Sequence, residues 1–346
     1  MLKLAVMGTG AIAVRRHLPE IRRSEEASLV AVFGHDPAHT KAVAEGFGAR
    51  YATTDAQRIF RDPDIDAVVV AGVNALHADL TVRALEAGKH VLVEKPMATS
   101  VADAVRMVRA AREASRVLMV AQNERLDPAH VRAREILASG RLGRVLVAEA
   151  VLAHGGPERW TETAAWFFSA RDGVLGALGD LGIHKVDLLR YLLADEVVDV
   201  FGRTAILSKR SEVNDNAVLS LRFESGTLAT VTASWTAQGR EISAERFFCD
   251  AGILEVGAGP DRPLLVTWAD GHTEEGTSAG VQREPAGAGA GSGVIEAFLE
   301  SVREGVSRIP GEEGIRSLAV CEAGLVSEGS GARVAVADVI AQTGGF

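Results

Sequence analysis

The stretch Leu2-Lys3-Leu4-Ala5-Val6-Met7-Gly8-Thr9-Gly10-Ala11-Ile12-Ala13 decides how the rest of the chain is read. Leu2 to Met7 is an apolar run of strand length. Gly8-x-Gly10-x-x-Ala13 follows it directly, and a helix-like pattern then runs to about Arg23. Strand, tight glycine turn and helix in this order make a dinucleotide-binding fingerprint. Gly8 permits the turn, Gly10 lets the backbone approach a pyrophosphate, and Ala13 keeps the helix near the strand. Ala11 and Ile12 open that helix, where amide groups without intrahelical acceptors face the phosphates.

Leu29 to Phe33 reads as the second strand. Dinucleotide folds place an acidic residue about 20 residues beyond the glycines to bond the ribose hydroxyls. Here the strand ends in Phe33-Gly34-His35-Asp36, with Gly34 at the acidic position and Asp36 slightly late. A small residue at Gly34 leaves room for a 2′-phosphate, which His35, Lys41 or Arg15 could neutralise. The expected cofactor is therefore NADP or NAD, with a slight lean to NADP. The alternative is that Asp36 still reaches the ribose.

The rhythm continues. Helices are expected over His39–Phe47, from Thr53-Thr54-Asp55 onward, from about His77 to Ala87, and over Val101–Ser115. Strands are expected at Arg50–Ala52, Ile65–Ala71, His90–Val93 and Val117–Ala121. Such alternation implies a doubly wound parallel sheet. One strand ends in Glu94-Lys95-Pro96. A carboxylate, an amine and a proline pack poorly but suit a site, because ligands of open parallel sheets bind outside the carboxyl ends of the strands. The last strand ends in Gln122-Asn123-Glu124-Arg125. A dinucleotide-binding domain is expected over residues 1–122 and a second domain over 123–346.

In the second half a helix is expected over Pro128–Ala138 and a strand over Arg144–Leu152. Between Gly173 and Leu193, Asp180, His184 and Asp187 fall at i, i+4 and i+7 of an otherwise apolar helix, sharing one face. This suggests a lined pocket or an internally satisfied Asp–His pair. The spacing would also suit a metal, but no third ligand is evident and none is expected. Strands follow at Val197–Leu207, Ala217–Phe223, Leu228–Trp235, Arg246–Cys249, Ile253–Val256 and Leu264–Trp268. Runs of strands without helices imply an α+β domain with a largely antiparallel, open-faced sheet. Pro285–Gly293 reads as a flexible loop, with helices over Val294–Glu304 and Gly314–Glu328.

Bulk properties narrow the partners. The 346 residues are 47% hydrophobic and 24% charged, enough to build two cores, and the formal net charge of -9 argues against nucleic acid or an anionic membrane. Cys249 and Cys321 are too few and too distant for a disulfide framework. No apolar run reaches the roughly 18–20 residues that span a bilayer, so a soluble cytoplasmic protein is expected.

With these residues placed, the chain resembles the glucose–fructose oxidoreductase/inositol dehydrogenase family, Gfo/Idh/MocA. The likeness rests on the glycine fingerprint, Asn74-Ala75-Leu76-His77, Ala87-Gly88-Lys89-His90-Val91-Leu92-Val93-Glu94-Lys95-Pro96 and Asn123-x-Arg125. It also rests on Gly176-x-Leu178-x-Asp180-x-Gly182-x-His184-x-x-Asp187, Asp215-Asn216-Ala217 and the helix around Ala297-Phe298. The resemblance implies a two-domain NAD(P)-dependent oxidoreductase acting on a sugar, a polyol or a derivative. It implies that Lys95 contacts substrate and cofactor, Asp180 orients substrate and His184 moves the proton. Asn74 and Glu94 would face the nicotinamide ribose region, with His77 and Asn123 among the cofactor residues. It further implies a homodimer or homotetramer assembled through the open sheet face. Two departures stand out: Gly173-Val174-Leu175-Gly176 replaces a glycine run, and Gly34 replaces the common acidic residue. The rival readings are a dinucleotide- or sugar-binding regulatory protein and a redox-neutral, NAD-dependent glycoside hydrolase.

Overall fold

The computed structural model describes residues 1–162, 164–259, 262–275 and 291–345. They fall into two compact units. One comprises residues 1–123 and the described part of 284–315; the other comprises 124–283 and 316–345 where described.

The first unit is built on six runs: Leu2–Met7 (β1), Ala27–Phe33 (β2), Tyr51–Thr53 (β3), Ala67–Val70 (β4), His90–Val93 (β5) and Leu118–Val120 (β6). All pair in parallel in the order β3-β2-β1-β4-β5-β6. A parallel sheet is covered on both faces, which is why Ala67 to Val70 is buried at every position. Between the strands run Leu18–Arg23 (α1), Pro37–Phe47 (α2), Ala56–Arg61 (α3), His77–Glu86 (α4) and Val101–Ala114 (α5). Local chemistry sets their ends. Asp36, Asp55 and Ser100 accept backbone amides at the starts of α2, α3 and α5. Gly48, at φ 75°, closes α2. The strand order reverses between β1 and β4, the crevice where such sheets bind dinucleotides.

The second unit opens with Pro128–Ala138 (α6) and Val145–Ala153 (β7), then Ile183–Leu193 (α7) and Val197–Ala205 (β8). Asn216–Phe223 (β9), Leu228–Ser234 (β10), Ile242–Cys249 (β11), Gly252–Gly259 (β12), Arg262–Trp268 (β13) and Thr273–Glu275 (β14) follow. Val294–Glu304 (α8), Gly311–Ser330 (α9), Val334–Ala335 (β15) and Val336–Ala341 (α10) complete the described elements. The second sheet runs β14-β13-β12-β11-β7-β10-β9-β8-β15 and is antiparallel except where β7 and β10 pair in parallel. It is covered on one face. In β9, Ala217, Leu219, Leu221 and Phe223 are buried while Val218, Ser220 and Arg222 are exposed. This is the period-two signature of a half-solvated antiparallel sheet.

One feature differs from a single passage into the second domain. The chain leaves the first unit after Asn123, but residues from the 284–315 segment return to it. The buried Glu20 carboxylate accepts from Ser292 N at 2.5 Å, Ser292 Oγ at 2.8 Å and Ile295 N at 3.2 Å, so α1 caps the start of α8. Val120 N donates to Ile309 O at 2.9 Å, closing the outer edge of β6. Nothing in local periodicity announces these long-range bonds. The expected loop at Pro285–Gly293 lies outside the described residues as far as residue 290. No helix among the described residues is long and apolar enough to cross a membrane.

Candidate functional site

The glycine turn has the form its sequence suggests. Gly8 sits at φ 141°, and a Cβ there would lie 2.2 Å from the Ala71 carbonyl oxygen. Only glycine lets β1 leave the sheet so close to β4. A Cβ at Gly10 would meet no described atom within 4 Å, so the space over the start of the helix is open to a ligand. Ala11 and Ile12 begin that helix, and Ala13–His17 then continues it as a π-helix before α1. These residues fit a dinucleotide: an unobstructed glycine turn, helix-start amides and a parallel sheet that reverses alongside.

At the end of β2 the space beside Gly34, expected from the sequence to leave room for a 2′-phosphate, is instead filled by two threonines. A Cβ there would meet Thr40 Oγ1 at 2.4 Å and Thr9 Cγ2 at 2.9 Å. Asp36 is spent as the cap of α2, accepting His39 N at 2.6 Å, and His39 Nε2 lies 3.1 Å from Thr9 O. His35 is exposed beside this turn.

The Glu94-Lys95-Pro96 segment is braced from two sides. The Glu94 carboxylate, 5% exposed, meets His17 Nε2 at 2.8 Å through Oε1, and its Oε2 accepts the Lys95 amide at 3.1 Å. Burial alone would raise this carboxyl; His17, with Arg16 and Lys95, outweighs it and holds the pKa at about 2. The π-helix delivers His17 to this contact, an arrangement common at functional sites. His77 is buried, with Nδ1 2.8 Å from Pro96 O and Nε2 3.1 Å from Gly72 O, so the ring ties the turn after β4 to the turn after β5. Burial pushes its pKa down. Asn74 is buried in a short 3₁₀ turn after β4, and Asn123 opens another after β6.

In the second unit, Asp180 and His184 do not share one α-helix. Leu178–Gly182 is a π-helix, and α7 begins at Ile183, so the expected α-helical wheel breaks between them. Both are 8% exposed. Trp235 Nε1 donates to Asp180 Oδ2 at 3.0 Å, and Trp235 is fully buried against Phe167 and Phe168. Trp160 and Trp166, both half-buried, pack around Phe167 in the same aromatic cluster. Asp187 is not a pocket residue. It holds Arg125 in a two-point ion pair, Nε at 2.6 Å and Nη2 at 2.8 Å, and accepts Ser317 Oγ at 2.9 Å. Arg125, the second residue of the Asn123-x-Arg125 pattern, is thereby a buried structural cation.

Sequence reasoning passed over the group beside His184. Lys185 is fully buried, and its ammonium donates to Glu124 at 2.9 Å, Ser243 Oγ at 2.9 Å and Glu245 at 2.6 Å. His130 directs Nε2 to Glu245 at 3.1 Å and Nδ1 to Glu124 O at 2.9 Å. Both ring nitrogens face acceptors, so the ring is anchored between the Glu124 backbone and the Glu245 carboxylate. Burial would lower the His130 pKa, but Glu245 and Glu124 raise it above the ordinary value. Burial would raise Glu245, but Lys185 and His130 keep it low. Glu124, His130 and Glu245 bring metal-ligand atoms within 4.8 Å of one another; the cation they surround here is Lys185. The missed signal was a lysine between Ile183 and Val186 on an oily helix, which calls for a buried anion.

Comparison with known proteins agrees with this architecture. Residues 2–122 match an oxidoreductase family with an NAD-binding Rossmann fold, and residues 130–255 match the GFO/IDH/MocA C-terminal domain. The 1,5-anhydro-D-fructose reductase of Ensifer adhaerens is 35% identical over 208 residues, 57% of this chain and 61% of its own. The chain thus spans less than two thirds of that relative. Inositol 2-dehydrogenase 3 of Saccharopolyspora erythraea is 32% identical over 249 residues, 70% of each chain. Among solved structures, a levoglucosan dehydrogenase in complex with NADH and levoglucosan superposes with a TM-score of 0.84 at 26% identity, covering 97% of this chain and 99% of its own.

Proposed function

The chain belongs to the Gfo/Idh/MocA oxidoreductase family, and from that premise we propose that it oxidises a CH–OH group of a sugar, polyol or derivative, or reduces the matching carbonyl, with a nicotinamide cofactor. The observation that carries the reading is Lys95 at the carboxyl end of β5, braced through Glu94, in a sheet whose glycine turn is open to a dinucleotide. When bound, the nicotinamide exchanges a hydride with the substrate carbon. The Lys95 ammonium stabilises the alkoxide, Asp180 orients the hydroxyl, and His184 takes up or returns the proton, as an imidazole can near neutral pH.

NADPH is the favoured form. The support is that Asp36 is engaged as a helix cap and that His35 is exposed nearby, since Thr9 and Thr40 fill the space beside Gly34 itself. The assembly belonging to this reading is a homodimer or homotetramer through the open sheet face, where Leu146, Val218 and Leu228 are exposed.

The test is a fluorescence titration with NADH and NADPH, then an absorbance screen of sugars and polyols with the tighter cofactor. Lys95→Ala and His184→Ala should each fold and lose about 100–1000-fold in turnover. Failure to bind either dinucleotide would sink the reading, and unchanged turnover in both variants would remove the assigned roles.

A further inference from the structure

The indole of Trp235 is fully buried, and its Nε1–H donates to Asp180 Oδ2 at 3.0 Å. A buried indole N–H needs an acceptor, but a backbone carbonyl would serve. A buried carboxylate costs far more to keep than a carbonyl, so its use here calls for a second reason.

Donor and acceptor are both held by one tract. Asn214 Oδ1 accepts Leu178 N at 3.1 Å and Asn214 Nδ2 donates to Leu175 O at 3.0 Å, which fixes the entry to the Leu178–Gly182 π-helix. The next residue, Asp215, accepts Trp235 N on its backbone oxygen at 2.8 Å. The Asp215 carboxylate is taken up by the amides of Leu207, Ser208 and Lys209, each at 2.8 Å, so the tract is itself anchored. The π-helix also lies hard against β10. A Cβ at Gly182 would stand 2.7 Å from Leu178 Cδ1 and 3.4 Å from Ala233 Cβ, two residues before Trp235. Phe167 and Phe168 meet the indole edge-on and close the remaining side. The indole and the helix that carries Asp180 are therefore locked to each other through backbone, side chain and packing at once.

We infer that Trp235 is a positioning residue for the proposed reaction: its indole holds Asp180 Oδ2 and so fixes the plane in which Asp180 Oδ1 meets the substrate hydroxyl. The inference rests on the role proposed above for Asp180. The terminal torsion of an aspartate has no sharp staggered wells, so a carboxylate without such a tether presents its oxygens over a broad range. An indole suits the task because it only donates and carries no charge. It orients the carboxylate and leaves the negative charge in place for the substrate.

The test is a double-mutant cycle in the full chain, run with the best polyol or sugar from the absorbance screen. Trp235→Phe keeps an aromatic ring against Phe167 and Phe168 and removes the N–H. It should bind NAD(P)H with unchanged affinity and lose about 10–100-fold in kcat/KM. Adding it to Asp180→Ala should cost nothing further, because the group it positions is gone. Activity of Trp235→Phe equal to wild type would overturn the inference. So would the same loss in the Asp180→Ala background as alone, which would leave the indole a packing residue. Should Trp235→Phe fold poorly, the Nε1–H resonance of Trp235 in indole-labelled protein decides without turnover. It should move in Asp180→Asn, and an unmoved resonance would overturn the inference. A wild-type protein that binds neither dinucleotide would instead refute the proposed function, and the inference with it.

Discussion

Lys185→Met strikes the buried ionic cluster at its centre. The methionine fills nearly the same volume, so the change removes charge and hydrogen bonds rather than packing. Three donor contacts are lost, and the groups left to offset the Glu124 and Glu245 carboxylates are the rings of His130 and His184. Breaking a buried ion pair from one side costs about 3–5 kcal/mol, against about 5–15 kcal/mol for a whole domain. At a urea slope of about 2 kcal/mol/M, the midpoint should fall by roughly 1–3 M. The assay is unusually clean. Trp160, Trp166, Trp235 and Trp268, the four tryptophans of the chain, all lie in the second unit, so tryptophan fluorescence follows that unit alone. Lys185→Met/Glu245→Gln removes one stranded charge and should recover about 1–2 kcal/mol of the loss. A Lys185→Met protein within about 1 kcal/mol of wild type at neutral pH would refute the reasoning, because it would mean the carboxylates never depended on the ammonium.

Three further expectations concern other parts of the chain. The raised His130 pKa stabilises the second unit fully below the ordinary value of 6.5, and this stability is lost as pH rises through the folded-state value; the fluorescence midpoint should decline on the alkaline side in wild type and stay flatter in His130→Gln. Glu94, held at about 2 against an ordinary 4.5, contributes stability above 4.5 that disappears as pH falls through about 2. Circular dichroism of acid unfolding should show that contribution gone in Glu94→Gln, and identical acid profiles would contradict it. Val174 sits at φ 50°, a left-handed conformation that costs a branched residue about 1–2 kcal/mol. Val174→Gly removes that strain but adds about 0.5–1 kcal/mol of chain entropy, so a calorimetric gain of up to about 1.5 kcal/mol is expected; a loss of more than about 1 kcal/mol would show that the valine side chain matters more than its backbone.

The parallel sheet was legible because its strands are buried on both faces and its turns carry glycine at positions no other residue can hold, as the 2.2 Å approach at Gly8 shows. The one-sided second sheet was legible from alternation in β9 and β10. The positions of Lys95, Asp180 and His184 could be singled out because charged side chains at strand ends and on apolar helices need a reason. Their surroundings could not. The His17–Glu94 contact spans 77 residues and depends on a π-helix, a winding that hydrophobic periodicity does not encode. The same is true of the break between Asp180 and His184. Arg125 and Asp187 were visible as residues but not as partners, because an ion pair across 62 positions leaves no local trace.

The return of the 284–315 segment bears on how the protein is made. Residues 1–123 leave the ribosome first, yet Ser292 and Ile295, which Glu20 anchors, and Ile309, which closes the edge of β6, come from this later segment. At about 5–20 residues per second of synthesis, that delay is roughly 10–30 s. Throughout it the nascent sheet holds an uncovered edge strand and a carboxylate with nothing to cap, so the unit begun first stays unfinished until residues 124–283 of the other have been made. Cutting the gene after Asn123 would reproduce that waiting state permanently. A self-sufficient dinucleotide module requires splicing residues 291–315 back onto it.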